Sequence, residues 1–157
     1  HYSNNFINRS CSQQHQNLNT PNSMNRNSII EELGRLADAK GYSFYVAEDA
    51  FIPQSVKSYP TMWLLPPKFL SQEGRKSGKI TYSITLQALY QGAKLPPERR
   101  EEVRRRLEND LVEIFSSLSQ HDCVIEVGKL SITHTSLAVI PYGDLVAKAT
   151  AEVVTFF

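Results

Sequence analysis

Between Lys79 and Gln120 the hydrophobic pattern changes period, and that change constrains the fold more than any other feature of the sequence. From Lys79 to Tyr90 the apolar residues Ile80, Tyr82, Ile84, Leu86, Ala88 and Tyr90 alternate with Lys79, Thr81, Ser83, Thr85 and Gln87, and only Leu89 departs from the alternation. A period of two belongs to a strand with one buried face. After Pro96 and Pro97 the spacing becomes three and four residues: Val103, Leu107, Leu111, Ile114, Phe115 and Leu118. That spacing draws one apolar stripe along a helix of about six turns. A half-buried strand followed by a one-sided helix implies a sheet carrying helices on one face, an α+β architecture.

The flanking segments extend the pattern. Ser28 and Glu31 have the spacing of a capping box, Ile29, Ile30, Leu33, Leu36 and Ala37 form an apolar stripe, and Gly41 stands at a left-handed C-terminal cap. A helix of about three turns is expected there, followed by a short strand from Tyr42 to Ala47. Pro53, Pro60, Pro66 and Pro67 break the next segment, and Thr61 to Leu65 between them reads as a strand, either buried on both faces or an edge strand beginning after Pro60. Phe69 to Gly78 reads as a polar loop. Cys123 to Val127 and Leu130 to Thr133 read as strands, Leu137 to Ile140 as a further apolar run, Pro141 to Asp144 as a turn, and Leu145 to Phe157 as a long alternating strand. The expected fold is one mixed, mostly antiparallel sheet with two main helices packed on one face, formed by residues 28–157.

Residues 1–27 hold eight asparagines and three glutamines and too few apolar anchors to order themselves. They read as a disordered Asn-rich leader or tail, and residues 1–23 as a leader ahead of Met24. The whole chain of 157 residues suits one domain plus that tail. A formal net charge of +1 provides no global field for nucleic acid or an anionic membrane. No apolar run approaches a membrane span, and no secretory signal is visible. Cys11 and Cys123 lie far apart in segments of different composition and read as reduced thiols.

Candidate chemistry is sparse. Gly74 to Lys79 has three residues between its glycines where a phosphate-binding loop needs four, and it leads into a strand, so that motif is rejected. What remains is a basic loop, Arg75, Lys76 and Lys79. The long helix adds Arg99, Arg100, Arg104 and Arg105, but its acidic residues, with Glu101 and Arg105 and with Glu102 and Arg106 spaced four apart, suggest a self-satisfied charged face. These seven cations are the candidate interface or anion contacts. His121, Asp122, Cys123 and His134 lack metal-site spacing, and neither a nucleophile elbow nor a dinucleotide fingerprint occurs. No catalytic residue, cofactor or metal is expected.

The element order, with the Ser28 cap, the Lys79–Tyr90 strand and the Pro97–Gln120 helix, resembles the phage tail terminator and tail-completion proteins, part of the head-tail connector group. The resemblance lies in element order over most of Asn25 to Phe157; the Asn-rich leader and the proline-rich 53–67 segment depart from it. It implies a non-enzymatic structural protein that assembles with itself into a ring, commonly of six subunits, ending the tail tube and meeting head-connector proteins. The implied location is the host cytoplasm during assembly and then the virion tail, with nucleic acid only passing through the ring lumen. The alternative is a small nucleic-acid- or protein-binding α+β module.

Overall fold

The structure, a computed structural model, describes residues 21–48, 59–92, 95–137 and 144–157. The expectations for residues 1–20, for Pro53, for 138–140 and for the turn at 141–143 lie outside the described residues. Among these residues two helices, α1 (Pro21–Ala39) and α2 (Pro97–Leu118), accompany seven strands: β1 (Ser43–Val46), β2 (Thr61–Leu64), β3 (Lys68–Gly74), β4 (Gly78–Tyr90), β5 (Val124–Val127), β6 (Ser131–Leu137) and β7 (Asp144–Phe156). They form one mixed sheet of α+β class in the order β1-β2-β4-β7-β5, with β3 also on β4 and β6 also on β7. Every pairing is antiparallel except β1 with β2.

The two long strands make the spine. β4 and β7 pair over their whole length, from Lys79 opposite Phe156 to Tyr90 opposite Leu145. Shorter strands flank them end to end, β2 and β3 along β4, β6 and β5 along β7. Because side chains alternate across a strand, one face of the spine presents Ile80, Tyr82, Ile84, Leu86 and Ala88 beside Ala147, Ala149, Ala151 and Val153, all buried. Alternate residues Ala147, Ala149 and Ala151 make the β7 part of this face from small side chains. The α2 stripe of Val103, Leu107, Leu111, Ile114, Phe115 and Leu118 shares one core with those residues and with Ile29 and Leu33 of α1.

The stripe of α2 and its start at the prolines match the sequence pattern. Helix α1 begins at Pro21, so Ser28 lies inside it and caps nothing. Its C-terminus closes as expected: Gly41 has φ +85°, its N–H donates to Asp38 O, and the Tyr42 N–H donates to Ala37 O. Strand β2 is buried at all four positions, as its apolar run implied. The segment expected to be a polar loop is a hairpin instead: β3 spans Lys68–Gly74 and turns at 75–77 into β4. Cys123 is buried and disulfide-bonded, which overturns its reading as a reduced thiol.

Candidate functional site

The seven candidate cations form two groups, and the fold sets them at opposite ends of β4. Arg75 and Lys76 are exposed in the β3–β4 turn and Lys79 is exposed just after it. The arginines belong to the first turns of α2, which follows the far end of β4, thirteen residues away. At about 3.3 Å per residue the two ends of β4 stand roughly 40 Å apart. They do not make one patch.

Their electrostatic settings differ too. Arg99 pairs with Glu102 at 3.0 Å, Arg104 with Glu101 at 3.6 Å, and Arg100 donates to the Gly92 carbonyl at 2.8 Å. The charged face of α2 is therefore self-paired only in part, through partners three apart and through Arg106 with Asp110 four apart rather than through Glu101–Arg105 and Glu102–Arg106; Glu108 and Glu113 pair off the helix with His134 and Lys40, and Arg105 makes no ion pair among the described residues. Arg75, Lys76 and Lys79 make no ion pair among the described residues.

Beside that turn lies an unusual strand. All seven residues of β3 are exposed, and no strand pairs with its outer side among the described residues. Phe69 rests edge-on against Tyr82, ring centroids 6.1 Å apart, yet stays 44% exposed, and Leu70 is 41% exposed. Burial raises the Tyr82 phenol above its ordinary range against the opposing pull of Arg26. Leu70 marks a shift in register, the signature of a bulge that turns a side chain out of the ladder. On the other margin β5 repeats these features: its register shifts at Ile125, which is 44% exposed, and no strand lies beyond it among the described residues. Sequence reasoning missed these edge residues. The available signal was the Gly74 and Gly78 pair closing a hairpin after a run free of helix periodicity; Gly74 has φ +98° there.

The face of the sheet away from the helices is polar over most of its length. Thr81, Ser83 and Thr85 of β4 stand beside Val154, Glu152 and Thr150 of β7, with Thr85 and Thr150 hydroxyls 3.3 Å apart. A shallow open depression there is lined by Ser83, Lys129, Ser131, Thr150 and Glu152. At the far end the same face carries a small second core of Trp63, Leu89 and Val146, sealed by Tyr45, Ala47, Tyr59 and Leu65.

The residues that could be imagined as a catalytic set are dispersed. His121 Nδ1 accepts from the Cys123 N–H at 3.2 Å, at the β5 end of the sheet. His134 stands opposite Ala147 on β6, and its Nε2 meets Glu108 of α2 at 2.6 Å. Cys123 O accepts from the Phe156 N–H, nine residues along β7 from Ala147, so the two regions are about 30 Å apart. Among the described residues no group of three or more His, Cys, Asp or Glu could hold a metal ion, and no helix is long and apolar enough to cross a membrane. No known family model matches the chain, and no curated protein matches it in sequence.

Proposed function

We propose that this protein is a non-enzymatic structural subunit of a phage or prophage tail, assembling with itself into a ring that ends the tail tube and joins it to the head. Its partners on this reading are further copies of itself, the tail tube and head-connector proteins, met first in the host cytoplasm and then in the virion tail. The observation that carries the reading is the pair of bulged strands that stand, among the described residues, on opposite margins of one sheet: β3, exposed throughout, and β5, exposed at Ile125 and Glu126. A cyclic assembly needs two different surfaces on each subunit, each complementary to the other. Element order, with both helices on one sheet face, adds the likeness to tail terminators.

Light scattering on the eluting peak of a sizing column, followed by electron microscopy, tests the reading. A closed ring of uniform subunit number is expected, and a monomer at every concentration and in tail preparations overturns it. A second reading, a small nucleic-acid- or protein-binding module, draws on Arg75, Lys76 and Lys79, which make no ion pair among the described residues. It predicts binding to an oligonucleotide or peptide that falls steeply with salt and is lost in Arg75→Ala/Lys76→Ala.

A further inference from the structure

We infer that β3 of one subunit adds to β5 of the next, so that the sheets of neighbouring copies join into one antiparallel ladder. The inference rests on the ring reading and names the contact that builds the ring. Strand directions supply the first argument. β3 opposes β4, β4 opposes β7, and β7 opposes β5, so β3 and β5 run in opposite senses. A second copy set beside the first in the same orientation therefore brings β3 against β5 antiparallel, the pairing that an edge strand makes most readily.

Height along the strands supplies the second argument. Gln72 is opposite Ile80, Ile80 opposite Thr155, and Thr155 opposite Val124; likewise Ser71, Thr81, Val154 and Glu126 share one row. The two edges, unpaired on their outer sides among the described residues, thus lie at the same level of the sheet. Copies joined edge to edge gain no axial rise from this offset, as a closed ring requires and a helical filament does not.

Side chains agree with that alignment. In the row of Tyr82 and Val153, Phe69 of one copy would face Val127 of the next, and the exposed bulge residues Leu70 and Ile125 fall within one row of each other. Lys68 comes diagonally beside Glu126. The Arg75–Lys76 turn comes to the level of Asp122, since Gly78 pairs with Phe157 and Cys123 with Phe156.

Photocrosslinking of the full chain with benzoylphenylalanine at position 70, mapped by mass spectrometry, tests the contact. Crosslinks to residues 122–127 of another copy are expected. Crosslinks to β3 of another copy, to residues 1–20 of the same chain, or to any other surface overturn it. In parallel, Lys68→Glu and Glu126→Lys should each weaken assembly about tenfold, and the double variant should recover to within about twofold of the wild type. Single variants that leave assembly unchanged, or a double variant no better than either, overturn the inference. Rings that form without the 70-to-β5 crosslink sink this contact and leave the ring reading standing; a wild-type chain that never forms rings sinks both.

Discussion

The Tyr42 hydroxyl donates to the Asp110 carboxylate across 68 residues of sequence, tying the cap of α1 to the middle of α2. Asp110 also lies near Lys40 and Arg106, at 3.9 and 3.7 Å, so the phenol belongs to a small polar knot between the helices. Tyr42→Phe should cost about 1 kcal/mol in urea unfolding, since Asp110 keeps its cationic neighbours. Burial first, and then the bond to Asp110, raise the Tyr42 phenol well above its ordinary value of 10.0. A raised value favours the folded state fully below pH 10 and progressively less as pH climbs beyond it. The stability gap between wild type and Tyr42→Phe should therefore hold from pH 7 to about 10 and narrow above it; a gap constant to pH 11.5 would contradict this.

Asn25 is buried and donates to Thr155 Oγ1 at 3.0 Å and to Phe156 O at 3.1 Å, while Thr155 Oγ1 donates to Ile80 O at 3.0 Å. One amide thereby anchors the start of α1 to the end of the β4–β7 ladder. Asn25→Ala takes the amide donor from the buried Thr155 hydroxyl and the part-buried Phe156 carbonyl and should destabilise by about 2 kcal/mol. Chemical denaturation measures this directly, and a loss under 0.5 kcal/mol would show the network to be redundant.

Trp63, fully buried, donates its indole N–H to Ala47 O at 2.7 Å and lies 5.8 Å from the Tyr45 ring. Trp63→Ala should cost roughly 3–5 kcal/mol through cavity formation. As the chain's only tryptophan it also reports on itself: native emission should be blue-shifted and move red on unfolding.

Two glycines separate backbone strain from steric exclusion. Gly41 and Gly74 both have positive φ, but a Cβ at Gly41 meets nothing within 4 Å while one at Gly74 would lie 2.2 Å from Ser77 O. Gly41→Ala should cost about 1 kcal/mol, the strain of a left-handed alanine. Gly74→Ala should cost more and should open the β3–β4 turn, seen as faster amide exchange in 71–79 and slower exchange nowhere else.

Much of the scaffold was legible because its signals are periodic. The alternation of Ile80 to Ala88 and the stripe from Val103 to Leu118 are the two inner surfaces of the core, and each names its own element. β3 was not legible for a physical reason: a strand exposed on both faces has no burial to impose alternation, so Lys68 to Gly74 looks like a loop. The start of α1 was misplaced because Ser28 has capping chemistry, whereas Pro21 opens the helix. Pairing order was hidden as well, since nothing local in Val124 to Val127 says that β7 lies beside it. The candidate edges follow from that order, and so they became visible only with it.

Strand β7 is the hub of the sheet, touching β4 on one side and both β5 and β6 on the other. Yet its partners on β4 lie more than fifty residues earlier in sequence. A nascent chain that has already made α1, β4 and α2 can pack them on one another, but the apolar face they share is completed only when residues 144–156 arrive. Folding should therefore be late, slow and cooperative for a chain of this size, with the spine forming as the last event and not the first.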